Sequence, residues 1–357
     1  FYSDDKYVDL TVKLWKALSE KFKNNPSVAA YDILNEPGEN ACSTTERHWN
    51  FYNKVYDAIR STGDEHILIM EGLWTGKDLP HPSRYVWENC MYSFHHYAGN
   101  LADNSYFSSW NDMVSEVFAQ KFGVPLYMGE FTAYSSESKW EYSLDLLNRH
   151  NWHWTSWTYK IWNKKGWTSW GIYNVNGTQD DLVDAANDEY DDILKKFSLM
   201  KTDDAERFKF SSGTSLEDVC KKYASATYEY DKPQAGTFEL LTDSGCIAVS
   251  ENNTVIITKD FNNARKFTLV YENSIDGNAY FKTYGGTLTE VGGGLKVTGS
   301  TEKQTLFCPV PTEYGFALFS YSGQGYVCAD ENGNIKTNGK TVDKALIFTQ
   351  SSFTATE

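Results

Sequence analysis

Leu10, Leu14, Leu18 and Phe22 recur every four residues and put an apolar stripe on a helix that ends near Asn24, where Pro26 breaks the run. From there to about residue 200, short β-rich runs alternate with helical periodicity. The pattern predicts strands over 28–34, 66–71, 91–95, 124–129 and 153–159, and helices over 46–60, 108–122, 136–149 and 181–199. Strands joined by helical crossovers make a parallel sheet, closed or doubly wound. The count is five, whereas a complete (β/α)8 barrel needs eight.

The pattern changes after residue 200. Residues 201–235 mix charges, Ser and small residues without a clear period and read as a connector with one helix over 216–223. Residues 236–357 read as all-β and repeat internally: Lys266-Phe267-Thr268, Leu306-Phe307-Cys308 and Ile347-Phe348-Thr349 are about forty residues apart. An aromatic start (Phe238, Tyr280 with Phe281, Phe316) and a Gly-bearing turn (Ser244-Gly245, Gly285-Gly286, Gly323) precede each. Three copies of a four-strand unit of that length predict a β-trefoil. Gly292-Gly293-Gly294 is a turn of that unit and not a phosphate loop, because no helix start with Lys-Ser/Thr follows it.

Composition supports two parts. All twelve Trp lie at or before Trp170 and all seven His at or before His153. A net charge of −15 argues against nucleic acid or an anionic membrane as partner, since phosphate binding draws on clustered Lys and Arg. No run of eighteen apolar residues predicts a membrane span. The six Cys have neither CxxC spacing nor a paired His pattern, so no metal site and no cofactor are expected; their spacing leaves thiols and disulfides open.

Two glutamates each end a short apolar run: Glu36 in Tyr31-Asp-Ile-Leu-Asn-Glu-Pro37, and Glu130 in Pro125-Leu-Tyr-Met-Gly-Glu-Phe131. A carboxylate at the carboxyl end of a buried strand emerges at the rim where α/β enzymes place their chemistry. Glycoside hydrolysis asks for two such groups, one protonated and one ionised. Asn35 adds an amide able to bond a sugar hydroxyl, His95 and Tyr97 end another strand, and Trp157 ends a third. Pyranose faces stack on indoles, which makes Trp74 a further subsite candidate along with one of Trp162, Trp167 and Trp170. Trp15, Trp49 and Trp140 fall within helices and read as core.

Asn35-Glu36-Pro37, then Phe94-His95-His96-Tyr97-Ala98-Gly99, then Met128-Gly129-Glu130-Phe131, then Ser156-Trp157-Thr158-Tyr159-Lys160, closely resembles the family 5 glycoside hydrolases, the cellulase family of (β/α)8 barrels. The resemblance covers about residues 1–200 and fits the fourth to eighth strands, so the first three βα units are absent from this sequence. It implies that a separate polypeptide supplies them or that the sequence begins partway through a longer enzyme. It also implies Glu36 as acid/base, Glu130 as nucleophile, Asn35 as partner of the 2-hydroxyl, Tyr97 as orienter of the nucleophile, and His95 and Trp157 as subsite walls. The implied activity is a secreted, extracellular, retaining β-glycosidase, first an endo-β-1,4-glucanase, with β-mannanase or exo-acting β-1,3/β-1,6-glucanase as alternatives. Residues 236–357 resemble a fascin-like or ricin-like β-trefoil, a candidate carbohydrate-binding module or a structural appendage. A reading from another class is a non-catalytic carbohydrate-binding protein.

Overall fold

Asp4 opens the first helix, α1 (Asp5–Phe22), by accepting the backbone N–H of Lys6. The computed structural model describes residues 4–38, 44–72, 78–120, 122–162, 168–178, 181–225, 232–272 and 277–351. Of the stripe Leu10, Leu14, Leu18 and Phe22, it is Phe22 that α1 packs on the core. Val8 and Ser19 are buried, and Val12, Trp15 and Phe22 pack on the core, while Leu10 and Leu14 are exposed. Both rows satisfy a helical period. Contacts across the fold select the second: Trp15 meets the Tyr31 ring at 5.7 Å and Ser19 Oγ reaches Thr62 Oγ1 at 2.6 Å.

The next elements alternate as the pattern predicts: β1 (Ala30–Asp32), α2 (Thr45–Arg60), β2 (Ile67–Glu71), β3 (Cys90–His96), α3 (Asp103–Phe118), β4 (Leu126–Phe131), α4 (Glu137–Arg149) and β5 (His153–Trp154). The five strands form one sheet in the order β1-β2-β3-β4-β5, and every pairing is parallel. Helices cover one face, where Met70, Tyr92 and Met128 are fully buried against α2, α3 and α4. Trp140 is core as expected; Trp15 and Trp49 are only partly buried.

Three predicted elements are shorter than their pattern, the first being β1, which pairs over Ala30–Asp32 of the predicted 28–34. The fifth strand leaves the ladder after Trp154, although the Thr155 and Trp157 N–H groups still bond the Met128 and Phe131 carbonyls. The chain then enters a second sheet, β6 (Lys160–Trp162) parallel to β7 (Tyr173–Val175), with β8 (Glu206–Arg207) antiparallel. The last predicted helix of this part is confined to α5 (Tyr190–Ser198), because Asp181 and Asp184 bond nearby backbone N–H groups at Thr178 and Ala186 and hold turns instead. In the connector, Ser215 caps α6 (Leu216–Ala224).

Twelve strands build the antiparallel remainder: β9 (Gly236–Thr242), β10 (Gly245–Val249), β11 (Val255–Thr258), β12 (Lys266–Tyr271), β13 (Ala279–Thr283), β14 (Gly286–Val291), β15 (Gly294–Thr298), β16 (Phe307–Thr312), β17 (Gly315–Ser320), β18 (Gly325–Ala329), β19 (Ile335–Gly339) and β20 (Thr349–Gln350). β9, β12, β13, β16 and β17 pair in sequence, and β20 joins β9 while Phe348 bridges Phe316, which closes a ring. The remaining strands pair as β10–β11, β14–β15 and β18–β19. Two of the turns require glycine: Gly245 and Gly286 have φ near +145° and +150°, and a Cβ there would lie 2.2 and 2.1 Å from the Thr258 and Thr298 carbonyl oxygens.

This antiparallel body docks beneath α3 and α4. Leu306, Cys308, Val310, Ala317, Phe319, Tyr321 and Tyr326 share one buried cluster with the helical layer. Phe118 stacks on Tyr321 at 5.5 Å, and His150 meets Phe319 edge-on at 5.4 Å. The seam also carries polar ties: Arg149 donates to the Pro311 carbonyl and Tyr142 to the Lys340 carbonyl, both at 3.0 Å.

Candidate active site

The carboxyl ends of β1, β2, β3 and β4 deliver the titratable groups to one place. Glu36 lies just after β1, Glu71 ends β2, His95 lies near the end of β3, and Glu130 near the end of β4. One oxygen of Glu36, one of Glu130 and a ring nitrogen of His95 all lie within 4.8 Å of one another. His95 Nδ1 is 3.0 Å from Glu36 Oε1, 3.3 Å from Glu71 Oε1 and 3.5 Å from Glu130 Oε2.

A β-bulge makes this convergence possible. Phe94 pairs with Met128, but His95 pairs with Glu130, so Gly129 is an extra residue on β4. Along β4 the core positions are Leu126, Met128 and Phe131, a spacing of two and then three. The extra residue breaks strict alternation, which would otherwise have put Glu130 on the face of Leu126 and Met128. Neighbouring His96 points the other way, edge-on to Trp110 at 4.9 Å with its Nε2 at 3.1 Å from Ser109 Oγ. Burial there pushes its imidazole down to about 4.

Glu130 receives the Tyr97 hydroxyl at 2.7 Å on Oε2. Burial of that hydroxyl, together with its bond to Glu130 and the charge there, holds the phenol protonated well above its ordinary range. Tyr97 in turn lies 6.1 Å from the Trp170 ring, which packs edge-on against Tyr134 at 4.9 Å. Trp170 is therefore a wall behind Tyr97.

Glu71 is the group that reading of the sequence did not single out. It is buried, and its backbone is bracketed by α2: its N–H donates to Tyr52 Oη at 2.8 Å, while its carbonyl accepts from Tyr52 Oη at 3.0 Å and lies 2.7 Å from His48 Nε2. Its side-chain Oε2 accepts the backbone N–H of Glu36 at 2.8 Å. Burial pushes this carboxyl up to about 8, opposed by the Glu36 N–H and reinforced by Asp32, Glu36 and Glu130. A signal was present, because Ile67-Leu-Ile-Met-Glu71 is the same apolar run ending in glutamate that marked Glu36 and Glu130.

Glu36 itself sits at φ 42°, a left-handed conformation costing a non-glycine residue on the order of 1 to 3 kcal/mol. Asn35 and Trp157 are exposed beside the cluster, Trp157 at 46%. Trp74 and Trp167 lie outside the described residues. Trp162 is partly buried, and its ring occupies the space a Cβ on Gly177 would need. The described cysteines, which are Cys90, Cys220, Cys246, Cys308 and Cys328, are free thiols.

Comparison with known proteins bears on the first part of the chain. Residues 2–164 match the model of Cellulase (glycosyl hydrolase family 5). A beta-xylosidase of Phanerodontia chrysosporium is 25% identical over 193 residues, 45% of this chain and 39% of that protein. An endoglucanase of Paenibacillus polymyxa is 24% identical over 179 residues, 40% of this chain and 45% of that protein. The matched part thus spans less than half the length of either relative. Among solved structures, an endo-beta-1,4-glucanase of Xanthomonas axonopodis pv. citri is 18% identical with a TM-score of 0.38, over 54% of this chain and 66% of that one. Residues 2–164 are thus similar to the glycosyl hydrolase family 5, a family of glycoside hydrolases, over somewhat less than half of the chain.

Proposed function

We propose that this chain carries the catalytic pair of a retaining β-glycosidase acting on a β-linked polysaccharide, with an endo-β-1,4-glucan as first substrate. The observation that carries the reading is the approach of Glu36 and Glu130, whose nearest oxygens lie within 4.8 Å. Retaining enzymes hold their carboxyls about 5 to 5.5 Å apart, whereas inverting ones leave about 6.5 to 9.5 Å for a water. Glu36 gives its proton to the departing glycosidic oxygen as Glu130 attacks the anomeric carbon, and a glycosyl-enzyme forms. Glu36 then takes a proton from water, which attacks the same carbon and frees Glu130 with net retention. Tyr97 holds Glu130 in line before attack, Asn35 faces the 2-hydroxyl, and exposed Trp157 offers a face for the sugar ring under attack. His95 walls the same subsite.

The relatives' names, an endoglucanase and a beta-xylosidase, support a β-linked substrate. β-Mannan and exo-cleaved β-1,3- or β-1,6-glucan are the alternatives. In this reading β1–β5 are the fourth to eighth strands of a (β/α)8 barrel, and three further βα units, from upstream sequence or another polypeptide, close the ring past β1. Residues 236–357 are read as a β-trefoil. Support comes from three successive four-strand units, each contributing its first and fourth strands to a closed ring and its middle two strands as a hairpin outside it. Its role as a carbohydrate-binding module, and secretion of the whole, belong to the same proposal.

The test is hydrolysis of a polysaccharide panel by the unaltered protein, with the anomer first released followed by NMR. Retention and loss of turnover in both Glu36→Gln and Glu130→Gln are expected. An inverted first product rejects the double displacement, and sugar binding without turnover in the unaltered protein favours a binding role.

A further inference from the structure

Among the described residues the Glu71 carboxyl makes two polar contacts, and both lead to the proposed acid/base. Oε2 accepts the Glu36 backbone N–H at 2.8 Å, and Oε1 lies 3.3 Å from the His95 nitrogen that is 3.0 Å from Glu36 Oε1. Behind it, the bonds to His48 and Tyr52 involve only its backbone, so β2 ends at this place whatever the side chain is. Glu36 meanwhile stands in a left-handed conformation that its own side chain does not favour, and it is followed by Pro37 rather than a glycine. A conformation of that kind persists only when its surroundings over-determine it. The Glu71 carboxyl is the group seen to hold its N–H.

We propose that Glu71 is a positioning residue: by accepting the backbone N–H of Glu36 it holds the turn from which the Glu36 carboxyl reaches His95 and Glu130. The inference rests on the acid/base reading of Glu36. The groups facing the Glu71 carboxyl are Asp32 from β1, Glu36 after β1, His95 from β3 and Glu130 from β4, with His48 and Tyr52 of α2 behind. Three of these are acids, so a proton on Glu71 spares the cluster one more negative charge while leaving an oxygen free to accept from Glu36. The carboxyl, pushed up to about 8, keeps that proton at neutral pH. Deprotonation sets a further charge beside the pair.

Two variants separate positioning from mere packing. Glu71→Gln keeps the shape and the acceptor but cannot ionise, whereas Glu71→Ala removes the acceptor and leaves the backbone bonds to α2. On a chromogenic aryl β-glycoside, kcat of Glu71→Ala should fall about 100-fold with KM changed less than about 3-fold, the loss expected when a group that aims the reacting atoms is misplaced. Glu71→Gln should keep kcat within about 3-fold at pH 7 and lose a limb of the pH profile near pH 8 that the unaltered protein shows. A glutamate needed only for packing would lower the melting temperature of both variants and leave the pH profile in place, which overturns the proposal.

A second readout does not depend on turnover. The Glu36 amide proton should follow a titration near pH 8 in the NMR spectrum of the unaltered protein, lose it in Glu71→Gln, and move upfield in Glu71→Ala. An amide resonance unchanged in Glu71→Ala overturns the proposal. Full hydrolysis by Glu36→Gln would instead sink the acid/base reading, a different outcome from either of these.

Discussion

Gly129 lies directly beneath His95: a Cβ built on it would stand 2.9 Å from His95 Nε2 and 2.7 Å from Ser93 Oγ. The bulge that turns Glu130 toward His95 therefore depends on a residue with no side chain at that point. Gly129→Ala must push the imidazole away from the carboxyls it touches. Displacements of about 1 Å in a reacting constellation cost about 100-fold in rate. The expected result is a loss of that size in kcat with a folded protein, checked by steady-state kinetics beside circular dichroism. Activity within a few-fold of the unaltered protein would show that His95 need not sit there.

The Tyr97 hydroxyl gives Glu130 a hydrogen bond to a charged acceptor, the class worth roughly 1.5 to 3 kcal/mol. In the proposed double displacement Glu130 would lose that charge as the glycosyl-enzyme forms, so the bond would also set how readily the intermediate breaks down. Tyr97→Phe should lower kcat/KM about 10- to 100-fold and leave the melting temperature within about 2 °C, because the Tyr97 side chain stands at the rim with 42% of its surface exposed and Phe keeps its ring. Pre-steady-state kinetics with a good leaving group tells which step is slowed.

The apolar runs told most of this before any coordinates. β2, β3 and β4 and the helices α2 and α4 fall within about two residues of where periodicity puts them, α3 runs over Asp103–Phe118 against the predicted 108–122, and Glu36, His95, Tyr97 and Glu130 meet. What periodicity missed has physical causes. The apolar stripe on α1 does not by itself mark its inward face, because Leu10 and Leu14 match the same period as Val8, Val12 and Trp15, and contacts with Tyr31 and Thr62 decide between the rows. The shortened fifth strand reflects a ladder that ends by pairing geometry, which Trp157 and Tyr159 as good strand residues do not reveal. Glu71 was visible as a strand end, but its partner is the backbone of Glu36, and a backbone contact across strands leaves no mark in the residue types.

Acid should loosen this protein through its buried imidazoles. His150, between Phe118 and Phe319, has no hydrogen-bond partner for either ring nitrogen among the described residues and is held down to about 3 by burial, with Arg149 and Lys232 adding to it. Its folded value lies below the unfolded one near 6.5, so the unfolded chain binds the proton first and stability is lost as pH falls from 6.5 toward 3. Each such group contributes a slope of about 1.4 kcal/mol per pH unit in its window. Glu71 acts in the opposite sense: its raised value makes stability fall as pH climbs from about 4.5 to about 8. Urea unfolding at pH 4.5 to 8 should show His150→Leu with a shallower loss on the acid side, and Glu71→Gln with a shallower loss on the alkaline side. Unchanged slopes would mean that neither group titrates where its burial puts it.

The parallel and antiparallel bodies should unfold together. Their seam is not a wet contact between two finished surfaces, since Phe118 at the end of α3 is buried against Tyr321 at the end of β17, and one apolar cluster runs through both sides. Removing the antiparallel body would expose Phe118, Trp152 and His150 together, all nearly fully buried as they stand. Phe118→Ala, which opens a cavity at the seam, should cost about 3 to 5 kcal/mol and shift one cooperative transition that tryptophan fluorescence and far-ultraviolet dichroism report alike. All twelve Trp belong to the first part of the chain, so fluorescence follows that part while dichroism follows both. Two transitions, with fluorescence moved by Phe118→Ala and the remaining dichroism unmoved, would show that the bodies fold independently and that the shared cluster adds little to either.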